Sequence, residues 1–221
     1  VDLMQKNPSH FGGERRGDHP VESVNWWSVA EYANRLSLKM GLEPVYDFSG
    51  GKFRHGTRAE DGSLDAESGT LKMNAPSGNV YLNSGYRLPT AAEREYLLRA
   101  TGMVDSDYRF RSSAGELANY EWHKENSEGF THPVAERKPV RISGKLFFDL
   151  LGNVREWEHD TFNSLGYGKN SKILIVGLDR GVRGGGWNTT SRFLPFAAMR
   201  SGYLPSYLSN DIGFRLVRTI K

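Results

Sequence analysis

Apolar residues recur at helical spacing in two stretches of the chain. In the first stretch the stripe consists of side chains three, four and seven residues apart, namely Val29, Tyr32, Ala33 and Leu36. This spacing places the side chains on one face of a helix. It predicts a helix from about Trp27 to Met40, with Ser28 as its N-cap and Gly41 as the residue that ends it.

The second stretch predicts a helix from about Ala91 to Thr101. Thr90 precedes it as an N-cap, and Glu93 stands three residues later, which is the pattern of a capping box. Gly102 follows as a stop signal. Three side chains are expected to share one face of this helix, namely Ala92, Tyr96 and Arg99.

Short apolar runs elsewhere predict strands. The predicted strands are Pro20–Val24, Val45–Phe48, two between Leu146 and Asp160 that flank Gly152-Asn153, Ile173–Val176, Arg180–Trp187 and Ile212–Ile220. Residues 49–79 and 106–144 are rich in turn-forming residues and lack periodicity, so they predict irregular connections. Two helices, scattered strands and much irregular chain indicate an α+β fold. Because no repeat or low-complexity linker divides the chain, residues 1–221 are expected to form a single domain.

The charge pattern narrows the classes of partner. The net charge is only +3, and no basic cluster is longer than Arg15-Arg16, whereas nucleic-acid binding needs a concentrated basic stripe. We therefore expect no nucleic-acid partner. No apolar run has the length of a membrane span or the shape of a signal peptide. Because the sequence begins at Val1 without an initiator methionine, we expect a membrane contact only through a trimmed N-terminal lipid anchor.

The residue types available for chemistry are limited. Cysteine is absent, which excludes disulfides, thiolate metal sites and a cysteine nucleophile. The six histidines are widely separated, and no two have the i, i+4 spacing of a helical metal site, so surface or turn positions are expected for them. Glu158 and Asp160 alternate along a predicted strand and share one face, where they could act as an acid–base pair or simply face solvent.

Motifs distributed over nearly the whole chain point to a family. They are Asn7–Phe11, Pro20–Trp26, Tyr86–Glu93, Ala118–Tyr120, Pro133-Val134, Leu151–Trp157, Arg183–Trp187 and Ile212–Arg215. Together and in this order they resemble the formylglycine-generating-enzyme (sulfatase-modifying factor) family. The resemblance implies a loop-rich α+β variant of the C-type lectin fold, with two helices beside a twisted antiparallel sheet.

The same resemblance also bears on catalysis. Formylglycine-generating enzymes use a cysteine pair for copper-dependent oxidation, and the pair would fall between Trp187 and Ile212. Because this chain has no cysteine, that reaction cannot run. Related iron enzymes use a three-histidine site on an added helical domain, which this chain lacks. We therefore expect a binding protein that is not an enzyme and requires no cofactor.

The resemblance also bears on calcium binding. Family members often hold calcium near Leu151–Trp157, and the resemblance implies Asn153 and Glu156 as its ligands, since oxygen donors suit calcium. The alternative is a buried Glu156 carboxylate that is hydrogen-bonded to turn amides and to Arg215 or Arg183.

Residues 188–211 differ from the rest of the chain. Lys, Glu and Gln are absent from this segment, and aromatic residues alternate with small polar ones without a period. Tyrosine gives a large, amphipathic contact area with few rotatable bonds, while Ser, Gly and Asn adapt to a partner. The composition therefore predicts a binding surface, although Phe193 and Phe196 could equally fill the core.

The segment also resembles the variable region of proteins diversified by retroelements, in which randomised adenines turn AAC-type codons into a restricted set of residues. Apart from Met199, the segment uses only that set. The resemblance implies a variable, ligand-binding patch formed by Thr189, Ser191, Phe193, Phe196, Ala198, Ser201, Gly202, Tyr203, Leu204, Ser206, Tyr207, Ser209 and Asn210.

These expectations combine into one hypothesis and two rivals. The first hypothesis is a monomeric display lipoprotein at a bacterial surface or outer membrane, which binds a protein or glycan ligand. The second is a cysteine-free enzyme or maturation accessory of the same family. The third is calcium-dependent carbohydrate binding, which ranks last because the usual Glu-Pro-Asn type signature is absent.

Overall fold

The computed structural model describes residues 3–4, 7–11, 17–52, 68–74, 79–103, 114–162, 173–175, 179–190 and 200–220. Its first helix, α1, spans Trp26–Lys39. The N-cap is Asn25, whose side-chain oxygen accepts from the Ser28 backbone N–H at 2.9 Å. The prediction of Ser28 as the cap was therefore wrong, because Asn25 supplies the oxygen that this end of the helix needs. Gly41 ends the helix with a φ of 67°, as predicted.

The second helix, α2, spans Ala91–Ala100 and begins with the predicted capping box. Thr90 accepts from the Glu93 backbone N–H, and the Glu93 carboxylate accepts from the Thr90 N–H. Ala92, Tyr96 and Arg99 do share a face, but it is the exposed one. The buried face carries Ala91, Arg94 and Leu98 instead. A single turn, α3, follows at Ala114–Leu117.

The central sheet has four strands, β6 (Arg155–Thr161), β8 (Arg180–Arg183), β9 (Arg200–Tyr203) and β10 (Ile212–Gly213). Their order across the sheet is β10-β6-β8-β9. β8 runs antiparallel to both β6 and β9, whereas β10 runs parallel to β6. β6 is thus an inner strand with neighbours on both sides, and β9 is the last strand in this order.

The remaining strands form smaller sheets. β3 (Ser68–Met73) pairs with β1 (Tyr46–Asp47), β2 (Gly51–Lys52) and β7 (Ile173–Ile175), and β4 (Val140–Ile142) forms a hairpin with β5 (Lys145–Phe147). Several predicted strands are shorter than expected. Pro20–Val24 contributes only a bridge between Glu22 and Gly213. The predicted strands Val45–Phe48, Arg180–Trp187 and Ile212–Ile220 are reduced to Tyr46–Asp47, Arg180–Arg183 and Ile212–Gly213.

The main core joins the beginning of α1 to β6. Trp26, Trp27 and Trp157 are fully buried in it. The Trp26 indole donates to the Glu158 carbonyl at 2.8 Å, and the Trp157 indole donates to the Val24 carbonyl at 2.9 Å. These two reciprocal bonds connect segments that are far apart in sequence, so they fix α1 against the inner strand of the central sheet.

A second, smaller core lies between α2, α3 and the β4–β5 hairpin. It consists of Leu98, Leu117, Val140, Ile142, Leu150 and Leu151. The architecture is α+β, as the sequence predicts, with two helices beside the curved central sheet.

Candidate functional site: the tyrosine surface

The predicted variable residues fall into two groups. Ser191, Phe193, Phe196 and Ala198 lie outside the described residues. The others are described, and they fall in a turn at Thr189 and in the continuous stretch 200–210. In that stretch the structure contains strand β9, which the sequence analysis did not predict, because the sequence of Arg200–Tyr203 carries no alternating pattern.

A tight turn follows β9 and is anchored to α1. The Tyr207 backbone N–H donates to the Leu204 carbonyl at 2.9 Å and closes the turn. The Pro205 carbonyl accepts from the Trp26 N–H at 2.9 Å, and the Ser209 carbonyl accepts from the Ser23 N–H at 3.0 Å. The backbone of this segment is therefore held at two points, by the first residue of α1 and by the segment just before it.

Two tyrosines stack across the turn. The rings of Tyr203 and Tyr207 lie 4.6 Å apart with an interplanar angle of 11°. Leu204 beside them is 50% exposed, and Tyr203, Ser206 and Tyr207 are partly exposed. We call Tyr203, Leu204, Ser206 and Tyr207 the tyrosine surface.

An arginine that the sequence analysis missed holds this surface in place. Arg155 Nη1 donates to the Tyr203 hydroxyl at 2.7 Å, and its Nε and Nη2 donate to the Asp211 carboxylate at 3.0 and 2.9 Å. Asp211 also accepts from the Ser209 hydroxyl. No local signal could have identified Arg155, because it lies 48 residues before Tyr203.

Some predicted variable residues serve the scaffold as well. The Thr189 hydroxyl accepts from the Gly186 N–H at 2.9 Å, and the Thr189 carbonyl accepts from the Lys124 N–H at 3.0 Å. The Asn210 carbonyl accepts from the Trp187 indole at 3.1 Å. Asn210 makes its bond through the backbone carbonyl, so its side chain can vary. Thr189 makes one of its bonds through the side-chain hydroxyl, so its side chain is part of the scaffold.

Gly202 is tightly constrained among the predicted variable residues that the structure describes. A Cβ atom there would lie 2.3 Å from Cδ1 and 2.9 Å from Cβ of Phe162. Because that contact involves the base of the Phe162 side chain as well as its ring, a small rotation of the ring cannot relieve it.

We expect Gly202→Ala to lower the free energy of unfolding by about 1–3 kcal/mol, as overpacking does. Chemical denaturation measures the loss, and the neighbouring Ser201→Ala serves as a control with a change of about 0.5 kcal/mol or less. In a Phe162→Ala background the cost of Gly202→Ala should shrink. An equal cost in both backgrounds would show that Phe162 is not the cause.

Behind the tyrosine surface, β6 carries a buried ionic layer. Glu158 is fully buried and accepts from Arg183 Nε at 2.8 Å and from Arg200 Nη2 at 3.1 Å. Asp160 accepts from the Ala91 N–H at the start of α2, and burial raises its pKa. The carboxylates share one face, as predicted, but Glu158 does not face solvent. Both of its oxygens are occupied by arginines, which is the arrangement of a structural ion pair.

The residues expected to bind calcium are engaged by protein groups. The Asn153 side chain accepts from the His132 N–H at 3.1 Å and donates to the His132 carbonyl at 3.0 Å. Glu156 accepts from Arg215 Nη2 at 2.9 Å and pairs with Arg94 Nη1 at 3.1 Å. Burial alone would raise the pKa of Glu156, but the charges of Arg215 and Arg94 outweigh it and lower the pKa.

The asparagine and glutamate are therefore already satisfied by protein partners, and as they stand they do not fit a calcium ion. Arg215 is one of the two arginines that the sequence analysis named as an alternative partner for Glu156. Calcium binding by Asn153 and Glu156 stays a prediction.

Buried titratable groups lie elsewhere in the fold. His123 and His159 are only 5% and 3% exposed. His123 begins a turn, since its carbonyl accepts from the Asn126 N–H at 3.0 Å, whereas the expectation of a surface or turn position was wrong for His159, which lies in β6. Burial and the nearby Arg180 and Arg87 lower the pKa of His159 to about 3. Glu121 is fully buried, and neither of its carboxyl oxygens has a hydrogen-bond partner within the described ranges. Burial raises the pKa of Glu121 to about 8.

Among the described residues, no three His, Asp or Glu side chains are grouped closely enough to hold a metal ion together. No helix in the described ranges is sufficiently long and apolar to cross a bilayer.

Comparison with known proteins places this arrangement in a family. The family described as sulfatase-modifying factor enzyme 1-like domain matches residues 1–220. The chaperone protein LppX of Paenibacillus barcinonensis is 29% identical over 242 residues, which cover 99% of this chain and 75% of LppX.

Solved structures show the same fold. Variable protein 1 of Treponema denticola superimposes with a TM-score of 0.69 and 29% identity, over 97% of this chain and 78% of that protein. The structure of CarF gives a TM-score of 0.60 and 27% identity, over 95% and 70% of the two chains. PvdO from Pseudomonas aeruginosa, at 23% identity and a TM-score of 0.57 over 92% and 63%, supports the fold alone. The expected C-type lectin-like fold of the formylglycine-generating-enzyme type is thus confirmed.

Proposed function

Because the chain belongs to the sulfatase-modifying factor enzyme 1-like domain family, we propose that it keeps the family's fold as a scaffold and binds a ligand through the tyrosine surface, without catalysis. The observation that carries the proposal is the stacked Tyr203–Tyr207 pair on a turn whose backbone is fixed to α1. Rigid, partly exposed aromatic side chains supply contact area at low entropic cost.

A variable binding surface needs a scaffold that tolerates side-chain substitutions in the turn. The backbone bonds that join Pro205 to Trp26 and Ser209 to Ser23 do not depend on the side chains in the turn. Leu204 and Ser206 can therefore change while the turn keeps its shape. The ligand we propose is a protein or a glycan, and the similarity to the Treponema denticola variable protein favours diversification by a retroelement.

The place we propose for this binding is a bacterial surface, with the protein acting as a monomer held by an N-terminal lipid anchor. A near-copy of the 3′ end of the gene, beside a reverse transcriptase gene, is the expected genomic signature. Substitutions among copies should then cluster in codons 189–210.

A display library tests the binding surface directly. Leu204, Ser206 and Tyr207 are randomised together, and lysozyme is the probe ligand. A matched library randomises Ala92, Tyr96 and Arg99, which form the exposed face of α2. We expect binders to lysozyme to be at least about tenfold more frequent from the tyrosine surface, because backbone hydrogen bonds hold its turn in shape while the side chains change. Equal frequencies from the two libraries would contradict the proposal.

The absence of catalysis has its own test. The purified protein, supplied with copper, is incubated with a cysteine-containing peptide, and the product is analysed by mass spectrometry. Because no cysteine is available as a nucleophile or copper ligand, we expect the peptide thiol to remain unoxidised relative to a protein-free control. Turnover above that control would overturn the non-catalytic part of the proposal.

A second candidate function is assistance in the maturation of another protein. It is favoured by the similarity over 99% of this chain to LppX, which is named a chaperone protein. An aggregation assay distinguishes the two candidates, with thermally unfolded citrate synthase as the probe. A chaperone suppresses the light scattering near equimolar ratio, whereas a display protein leaves it unchanged.

A further inference from the structure

A pocket lies at the start of α1, next to the tyrosine surface. Its volume is about 310 Å³, which is within the range of pockets that enclose ligands. Val24 and Val29 line it and are only 7% and 1% exposed, so the pocket reaches into the main core. We call it the α1 pocket, and its lining includes Met4, Val24, Ser28, Val29, Tyr32 and Leu208.

We propose that the α1 pocket takes one aromatic side chain that carries a polar group, a tyrosine or a tryptophan, from the ligand of the tyrosine surface. This inference rests on the proposed binding function and narrows it, because it makes the ligand a protein rather than a glycan. Tyrosine and tryptophan are common anchors at interfaces, since each combines a large apolar area with one hydrogen-bonding group.

The walls of the pocket fit the apolar part of such a side chain. Beside the two valines, it is lined by Leu208, Tyr32 and Phe214, and the rings of Tyr32 and Phe214 pack edge to face with their centroids 5.6 Å apart. Burial of an aromatic ring among these walls is favourable, whereas a sugar would bury hydroxyls that the walls cannot pair.

Two hydroxyls on one face of α1 fit the polar group of the side chain. Ser28 and Tyr32 lie four residues apart, which makes them neighbours on a helix surface, and both line the pocket. Both residues are partly buried, and neither hydroxyl has a hydrogen-bond partner among the described residues. A tyrosine hydroxyl or an indole N–H can therefore donate to one of these oxygens.

The N-terminal segment forms one wall of the pocket and is tied to the rest of the fold. Arg35 Nη1 donates to the Leu3 carbonyl at 2.8 Å, and the Ser9 hydroxyl accepts from the Glu22 N–H at 3.3 Å. Met4, which lies between these two points, lines the pocket. The walls are therefore held in place by the protein itself, so a ligand does not have to order them when it binds.

Leu208 joins the pocket to the tyrosine surface. It follows Tyr207 directly in the chain and lines the pocket. Ser23, another lining residue, donates its N–H to the Ser209 carbonyl at 3.0 Å. The pocket and the surface thus share one short stretch of backbone, so a single protein ligand can contact the surface and fill the pocket. A buried aromatic anchor beside a partly exposed contact area is typical of binding hot spots.

Side-chain probes give the first test. Saturation-transfer NMR is recorded on the wild-type protein with N-acetyl-tyrosinamide, N-acetyl-alaninamide and N-acetylglucosamine. We expect only the tyrosine probe to bind, with a dissociation constant on the order of 1 mM, since the probe is small. No binding of the tyrosine probe, or binding of N-acetylglucosamine in its place, would overturn the proposal.

Variants of the pocket locate the binding of the tyrosine probe. Ser28→Phe places a ring in the pocket and should abolish binding, whereas Lys39→Phe, at an exposed position of the same helix, is the control and should keep it. The double variant Ser28→Ala/Tyr32→Phe removes both hydroxyls without adding bulk, so it keeps the test decisive if Ser28→Phe does not fold. We expect it to bind the probe about fivefold or more weakly. Unchanged binding in these pocket variants would contradict the proposal.

A peptide distinguishes a protein ligand from a free small molecule. Acetyl-Ala-Ala-Tyr-Ala-Ala-amide should bind at least as tightly as N-acetyl-tyrosinamide, and the pocket variants should weaken both in parallel. If the peptide binds more than about tenfold more weakly, the pocket takes a free aromatic molecule and the proposal is wrong. The display library randomises no residue that lines the pocket. Failure of that library therefore contradicts the proposed function, whereas failure of probe binding contradicts the α1 pocket alone.

Discussion

Replacing Glu158 with glutamine is expected to lower the free energy of unfolding by about 3–5 kcal/mol. Glu158 is fully buried, and it is paired with Arg183 and Arg200, which are 1% and 12% exposed. Glutamine keeps the size of the side chain but removes its charge. The two guanidinium groups then lose the carboxylate charge that faces them, and removing one partner of a buried ion pair is far more costly than removing one partner of an exposed pair.

Urea denaturation of the wild type and of Glu158→Gln measures this loss. Glu31→Gln is the matched control, because Glu31 pairs with Arg35 on the surface of α1, where such pairs contribute about 0.3–0.5 kcal/mol. Gly181→Ala gives an independent check, since a Cβ there would lie 2.5 Å from Glu158 Oε2 and displace the carboxylate. Equal effects of Glu158→Gln and Glu31→Gln would mean that the buried pairs do not stabilise the sheet.

Stability is expected to fall as the pH rises, through the buried carboxyl of Glu121. Burial raises its pKa from 4.5 to about 8. Below pH 4.5 the Glu121 carboxyl is protonated in both the folded and the unfolded chain, so the free energy of unfolding keeps its full value. Between pH 4.5 and 8 the unfolded chain gives up this proton but the folded chain keeps it, so stability is lost. The loss reaches on the order of 5 kcal/mol above pH 8.

The test compares the pH dependence of unfolding for the wild type and Glu121→Gln. His159 acts in the opposite direction, because its pKa of about 3 in the folded protein makes stability fall as the pH drops from 6.5 to 3. Measurements between pH 6.5 and 8 therefore isolate Glu121, and there the wild type should lose about 2 kcal/mol more than the variant. Glu136→Gln, at an exposed carboxylate, should keep the wild-type slope. Parallel slopes for all three proteins would contradict the prediction.

The local signals in the sequence were reliable where their partners lie within a few residues. The capping box joins Thr90 to Glu93, and Gly41 and Gly102 end their helices with positive φ. The error at the start of α1 has the same scale, since Asn25 lies three residues before the predicted cap Ser28 and both side chains carry a suitable oxygen. Strand ends were less reliable, because pairing partners decide where a strand stops.

The contacts that support the tyrosine surface could not be predicted from local signals. The composition of 188–211 pointed to Tyr203, Leu204 and Tyr207, but it could not show that Gly202 lies under Phe162 or that Arg155 fixes the Tyr203 hydroxyl. The sequence also allowed Glu158 to face solvent, because the two arginines that pair with it come from other strands.

By itself, the sequence determined the two helices, the α+β class, the family motifs and the lack of any thiol. These features follow from residue type and from interactions between near neighbours along the chain. Only the tertiary structure decided which carboxylates are paired, which glycine is crowded and which arginine fixes the Tyr203 hydroxyl. Those outcomes depend on contacts such as the one between Trp26 and Glu158, 132 residues apart, and no period or spacing in a sequence encodes a contact of that range.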